Sequence, residues 1–431
     1  MSHENLSIFP QEILIHIFSY LPSSDLISLS ETCASFHCAI NSCNALMRKF
    51  KIFIFDHKKS FEWTPTRKYI KISIDSQSFE DYLKIFEYVG SDLEVLEIRY
   101  SSFDLKVLRE ILLMCENVKE IYIQAISLTV YLSDPIEPMP SLTLKKFFFL
   151  NLEPESIDVL KIFHNSSIAD VEMIGNFKRP QILKTFLSSQ TDLKKFHLHN
   201  KLDVLLLFDD NSLSNPSFKL QSLKLDNFDL YTQLPFFSNF IRSQSESLEI
   251  FETNQWKVFN LLGNLKNLKT VTIPSMRFTN PEPFRTVENL TINVDVSEGW
   301  ARQFPNVKNL KLHQMSDYEY NTTAEAQTFS SLEDLEIQYN TVVDLNIPTV
   351  KRLKLCYLSK LEAGRPFDYE NCKKLEELTI IRCSDAEWLA EYLERVETKL
   401  RLLVIQSTKL SECCLGVIEK NRQKIENLEI F

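Results

Sequence analysis

Apolar residues along this chain fall into one recurring six-residue pattern: apolar, two variable, apolar, variable, apolar. It reads Leu93, Leu96, Ile98, then Val118, Ile121, Ile123, and it recurs as far as Ile425, Leu428, Ile430, fifteen copies in all. Successive copies begin 18 to 28 residues apart, most of them close to 25. The last two apolar positions alternate with variable ones, as a half-buried strand requires, and the first closes the turn that leads in. Between copies lie stretches of helical spacing, such as Leu105, Leu108, Ile111, Leu112, Cys115 and Trp388, Leu389, Tyr392, Leu393, Val396. One strand and one helix cannot bury their apolar faces alone, whereas like units stacked in parallel can. The pattern therefore predicts an α/β solenoid, with parallel strands on one face and helices and irregular segments on the other. Earlier segments at Phe50, Phe53, Phe55 and at Tyr69, Ile72, Ile74 fit the same template as atypical first rungs, giving about 15–17 repeats over residues 49–431.

The copies between residues 248 and 307, and those at 332 and 350, are spaced too closely for a full helix. Extended or 3-10 segments should cover the outer side there, and curvature should change. Tyr131 to Pro140 and Ser316 to Ser330 read as projecting loops. The last copy ends at Ile430, next to Phe431, so its edge needs shielding by its own turns or by a partner.

Residues 1–48 do not follow the repeat. Pro10 suits the first helical position, Glu12 the positive end of the dipole, and Pro22 stops the segment after about three turns. Ile13, Ile17 and Leu21 then form one apolar stripe, flanked by Leu14 and Phe18. Ser23 or Ser24 caps a second short helix carrying Leu26 and Leu29, and Thr32 a third carrying Phe36 and Ile40. So small a unit carries more apolar side chains than it can bury, so it either caps the first repeat or meets another protein.

Composition narrows the function. A net charge of -10 disfavours a partner bound through its phosphates, so no nucleic acid is expected. The first ten residues lack the basic and apolar regions of a signal peptide, and no apolar run is long enough for a membrane span. A cytoplasmic or nuclear location follows, with no membrane partner. Nine cysteines with no C-x-x-C read as reduced thiols. His197 and His199 share one side of a strand but have no evident third ligand, so no metal is expected. Six glycines leave no phosphate-cradling loop, and neither H-E-x-x-H nor G-x-S-x-G occurs. No catalytic residue and no cofactor are expected.

Phe9-Pro10, Glu12-Ile13, Ile17-Phe18, Tyr20-Leu21, Asp25-Leu26, Leu29, Cys33 and Phe36 stand in register with the F-box, which the N-terminal segment closely resembles. Phe9 replaces a commoner Leu, and Ala34 a commoner basic residue. The repeats resemble the leucine-rich-repeat family, whose strands line the inside of a horseshoe and whose helices form its outside. Its ninth position usually holds Asn or Cys, as at Asn176, Asn340 and Cys383, but Ile126, Leu152 and Trp256 break the rule, which predicts irregular turns.

The combined resemblance implies the substrate-recognition subunit of an SCF-type ubiquitin ligase, itself non-catalytic. Phe9, Pro10, Ile13, Ile17, Phe18, Leu21, Leu26, Leu29, Cys33 and Phe36 would dock on Skp1, and through it on a cullin. Alternation points another set into the horseshoe, toward an unknown protein substrate: Tyr122, Phe148, His197, His199, Lys224, Lys311, His313, Tyr339, Lys354, Tyr357 and Arg382. Two rivals are a Skp1-bound structural scaffold and a ligand-sensing interaction protein.

Overall fold

The computed structural model describes residues 9–55, 69–75, 83–128, 139–151, 153–175, 177, 179–200, 207–208, 210–226, 234–255, 258–274, 282–292, 300–313, 329–338, 346–358, 367–384 and 386–431. The chain forms two compact units, Met1–Lys219 and Leu220–Phe431.

The first unit opens with four helices: α1 (Gln11–Phe18), α2 (Ser23–Ser30), α3 (Ala34–Ser42) and the single turn α4 (Asn44–Met47). Strands follow: β1 (Lys51–Phe55), β2 (Lys71–Asp75), β3 (Val95–Arg99), β4 (Ser102–Phe103), β5 (Glu120–Gln124), β6 (Ser127–Leu128), β7 (Thr143–Asn151), β8 (Ser167–Gly175) and β9 (Lys195–Asn200). β1, β2, β3, β5, β7, β8 and β9 pair in that order, all parallel, and β4 pairs with β6 in a small second sheet.

The second unit is more uniform. β10 (Ser222–Asp226), β11 (Ile250–Thr253), β12 (Thr270–Ile273), β13 (Asn289–Ile292) and β14 (Asn309–His313) pair in sequence order. β15 (Asp334–Gln338), β16 (Arg352–Cys356), β17 (Glu377–Ile381), β18 (Leu400–Gln406) and β19 (Ile425–Ile430) continue the parallel ladder. Each unit is thus a leucine-rich-repeat stack, and all fifteen template copies lie on strands.

Register explains the burial. Leu96, Ile121, Phe147, Val171 and Phe196 occupy one level of the first sheet, and Leu223, Phe251, Val271, Leu290 and Leu310 one level of the second. All ten are buried. The expected helices form as Leu105–Met114 and Trp388–Arg395, and each buries its apolar stripe: Leu105, Leu108, Ile111 and Leu112 in the one, Trp388, Leu389, Tyr392 and Leu393 in the other. In the compressed stretch only a four-residue helix, Phe259–Leu262, and a 3-10 turn, Trp300–Gln303, appear among the described residues. Both expected loops fall mostly on residues 129–138 and 314–328, outside the described set.

Two expectations need correction. The template places Phe50, Phe53 and Phe55 on the first rung, but β1 pairs Ile52 with Ile72 and Ile54 with Ile74. Its phase is one residue earlier, which turns the strand over: Ile54 is buried and Phe53 faces solvent, while Phe50, ahead of the strand, is buried as expected. The turns after several strands are regular rather than irregular. Tyr100, Ala125, Tyr357, Arg382 and Ser407, at the eighth template position, have φ between 47° and 56°. Each donates its N–H to a carbonyl of the next rung, at 2.8–3.0 Å: Gln124, Leu150, Ile381, Gln406 and Phe431 in turn. Left-handed residues here do what the ninth-position Asn does elsewhere. At the ninth position Ile126 is buried, and the buried Cys383 thiol donates to the Leu355 and Ile381 carbonyls at 3.6 Å, as the family pattern expects, while Leu152, Asn176, Trp256 and Asn340 lie outside the described residues.

Candidate functional site

The solvent-facing side of each sheet carries the variable residues between the apolar template positions. In the first unit one row reads Phe53, Ser73, Glu97, Tyr122, Phe148, Glu172, His197 across successive strands. Tyr122 and Phe148 lie 6.0 Å apart between ring centroids, and the Lys146 ammonium sits 5.7 Å from the Tyr122 ring. Glu172 holds Lys146 at 3.4 Å and His197 Nδ1 at 3.6 Å. One row further on, Leu150, Ile174 and His199 stand side by side. Four of the expected residues, Tyr122, Phe148, His197 and His199, therefore share one half-buried surface with two aliphatic neighbours that alternation had not singled out.

In the second unit the corresponding row reads Lys224, Glu252, Thr272, Thr291, Lys311, Glu336, Lys354, Thr379. Lys224 pairs with Glu252 at 2.9 Å, four strands away from Lys311. Glu336 lies between Lys311, at 3.3 Å, and Lys354, at 3.0 Å. His313 occupies the next row, in register with Gln338. Tyr357 and Arg382 use their left-handed backbone to stand beyond the strand ends, with the guanidinium 5.6 Å from the phenol ring. Lys311, His313, Lys354, Tyr357 and Arg382 thus come from neighbouring rungs, whereas Tyr339 lies outside the described residues.

The helices supply a third surface. Leu14, Phe18, Leu26, Phe36, Ala39, Ile40, Leu46 and Met47 form a core that Phe50 and Ile70 close from the first rungs. Phe18 and Phe36 meet edge to face at 5.3 Å. Lys49 Nζ donates to the carbonyls of Ser19 and Leu21, at 2.5 and 2.7 Å, and Arg48 pairs with Glu94 at 2.9 Å. The segment is thereby anchored to the repeat. With Leu14 and Phe18 turned inward, the other face of α1 is left open: Ile13 is 46% exposed, Ile17 42% and Tyr20 76%, with Phe9 at 48% just before the helix.

The expected docking set divides accordingly. Phe9, Pro10, Ile13 and Ile17 are exposed, Leu21, Leu29 and Cys33 half-buried, and Phe18, Leu26 and Phe36 sealed in the core. Leu21 leaves the expected stripe to pack inward and Tyr20 takes its place. Pro10 sits one residue before the helix, at its cap. The Thr32 hydroxyl donates to the Leu29 carbonyl at 2.7 Å, and α3 starts after Cys33 without a side-chain cap.

An F-box-like family model matches residues 6–52. A comparison with curated protein sequences finds no match. Among solved structures, the chain resembles one in the mouse RP105/MD-1 complex, at 12% identity and TM-score 0.41, covering 83% of this chain and 70% of that one. It also resembles an internalin from Listeria monocytogenes, at 10% identity and TM-score 0.32, covering 94% and 93%. A chain of the LRIM1/APL1C complex matches at 15% identity and TM-score 0.30, covering 86% and 64%. Here the fold rests on strand register, not on likenesses of this size.

Charge organises the surfaces further. Glu97, above the F-box-like segment's end, is nearly buried, and Lys51, Lys71 (3.6 Å) and Arg99 (3.1 Å) surround it. Burial alone would raise its carboxyl, but the Lys51 hydrogen bond and the lysine charges hold it below the ordinary range. Glu336 follows the same logic: burial opposes ionisation, and Lys354, Gln338 and Lys311 more than offset it. Burial and the two lysines push the His313 imidazole down against the pull of Glu336, which favours its neutral form. Burial and the bond to Glu120, at 2.9 Å, push the Tyr122 phenol up to about 12. Among the described residues, no cluster of three or more His, Cys, Asp or Glu is placed to hold a metal, and no helix is long and apolar enough to cross a membrane.

Proposed function

We propose that this chain is the substrate-recognition subunit of an SCF-type ubiquitin ligase. The observation that carries the reading is the coincidence of the F-box-like match with a solvent-facing apolar stripe, Ile13 and Ile17 on α1 with Phe9 just before and Tyr20 just after it, on a helix that packs inward through Leu14 and Phe18. In this reading residues 1–48 dock on Skp1, and through it on a cullin, while residues 49–431 hold a target protein on the strand face. Phe18, Leu26 and Phe36 act from beneath by holding that stripe in place. Tyr122, Phe148, His197 and His199 form one contact area, Lys311, His313, Lys354, Tyr357 and Arg382 a second, with Lys224 apart from it and Tyr339 assigned by sequence alone. The chain acts in the cytoplasm or nucleus, binds no nucleic acid and takes no part in the chemistry. Tethering raises the target's local concentration, and the lysine attacked belongs to the target.

Affinity purification from the native cell under proteasome inhibition tests this. The intact chain should recover Skp1 and cullin, and Ile13→Asp/Ile17→Asp should lose both while keeping strand-face partners. Failure of the intact chain to recover Skp1 sinks the reading. Partners whose abundance ignores proteasome inhibition would point instead to a scaffold.

A further inference from the structure

The helix side of the first unit carries a cleft that none of the surfaces above uses. It lies between the end of the 3-10 segment Pro154–Lys161 and the helix Pro180–Ser189, is open to solvent and has a volume of about 320 Å³. Phe147 of β7 packs against Phe163 at 4.9 Å and Phe186 at 6.4 Å, which fixes both elements on the buried side of the sheet. The floor is apolar: Leu160 and Phe186 are buried, and Ile182 is half-buried. Thr185 donates its hydroxyl proton to the Gln181 carbonyl at 2.9 Å and has none to offer a ligand.

The rim is polar. Lys161 and His164 line it, and no carboxylate does. Beside it, Asp158 is buried, and its Oδ2 accepts from Arg179 at 2.8 Å. The Lys161 ammonium is ion-paired with Asp158 Oδ1 at 2.8 Å. One carboxylate thus pairs with two cations, which leaves a net positive charge beside the cleft and leaves Lys161 two further N–H donors. An apolar floor beneath one surplus positive charge suits an amphipathic anion.

We propose that this cleft binds a small monocarboxylate, with its apolar body on Leu160, Ile182 and Phe186 and its carboxylate on Lys161 and His164. Ligand sites span roughly 300–1,000 Å³, so this one takes a single chain or ring rather than a two-tailed lipid. The site shares no residue with the proposed docking stripe and does not depend on it. Calorimetric titration of the full chain with decanoate should show saturable one-to-one binding, which Ile13→Asp/Ile17→Asp leaves unchanged. Lys161→Met should weaken it about tenfold, on the order of one charge-assisted hydrogen bond. Ile182→Trp, which fills the cleft, should abolish it; if that variant melts early, Thr185→Phe fills the same space from an exposed position. Equal binding of decanol, competition by phosphatidylglycerol vesicles, binding that survives both filling variants, or no saturable binding at all would each overturn the proposal.

Discussion

Gln190 and Gln244 do the same job one in each unit, and neither belongs to the apolar template. Both are fully buried. The side-chain oxygen of Gln190 accepts from the Ile168 N–H at 3.2 Å, and that of Gln244 from the Leu220 N–H at 2.8 Å. Ile168 and Leu220 are each the first apolar residue of the preceding rung. Replacing Gln244 by Leu keeps the volume but leaves a buried N–H without a partner, at a cost of about 2 kcal/mol. Urea unfolding should show that loss, and a Gln244→Leu variant as stable as the parent would refute the bond's importance. Sequence reading missed this device because a Ser-Gln pair after a helix looks like the start of a polar loop, and its partner lies 24 residues earlier. Glu97 escaped for a related reason: its three cations come from different strands. Its folded carboxyl titrates below the ordinary value, so its contribution is complete above about 4.5 and fades as pH falls through the folded value. Glu97→Gln should therefore destabilise by about 2 kcal/mol near neutral pH, less than a fully buried pair because Lys71 and Arg99 are partly exposed. The gap to the parent should narrow as denaturant titrations move to pH 3.

At the level of elements, periodicity located α1 but did not say which of two apolar stripes faces inward. Leu14 and Phe18 repeat at the same spacing as Ile13 and Ile17, so an isolated helix could bury either pair. The choice is made by Phe36, Ile40, Phe50 and Ile70, which offer a pocket to Leu14 and Phe18 only after the later segments arrive. β1 shows the same limit. Phe50, Phe53 and Phe55 match the template by composition, and only pairing with β2 reveals the one-residue shift. The two stripes of α1 should behave oppositely under mutation. Leu14→Ala removes a core side chain and should lose about 3 kcal/mol. Ile13→Asp changes an exposed position and should stay within about 0.5 kcal/mol of the parent. Paired thermal melts and Skp1 pull-downs separate the effects: Leu14→Ala should shift the melt, and Ile13→Asp should lose the partner without shifting it. Equal destabilisation by both would mean that α1 is rotated from the orientation described.

At the scale of the whole molecule, the repeat was legible because its apolar positions recur at nearly constant distance, and every copy found a strand. What fixes the order of the rungs becomes visible only once the copies are in register. After Gln221 in its first rung, the second template position of the second unit reads Glu249, Lys269, Glu288, Lys308, Glu333, Lys351, Glu376, Arg401, Glu426, strict alternation of charge along successive rungs. Lys269 reaches Glu249 at 2.9 Å, Lys308 reaches Glu288 at 3.0 Å, and Lys351 reaches Glu333 at 3.2 Å. Each pair is solvent-exposed and contributes roughly 0.2–1 kcal/mol. Specificity gains more than stability does, because a stack that skipped one rung would set like charges side by side throughout. Glu288→Lys tests the ladder by placing three lysines in succession at 269, 288 and 308. It should cost about 1 kcal/mol at low ionic strength, more than Glu288→Gln, since it adds repulsion to the lost attraction. Near 1 M salt the screening length falls to about 3 Å, and most of the difference between the two variants should vanish. A penalty that persists in high salt would mean that Glu288 acts through packing, and that the alternation plays no electrostatic part in ordering the rungs.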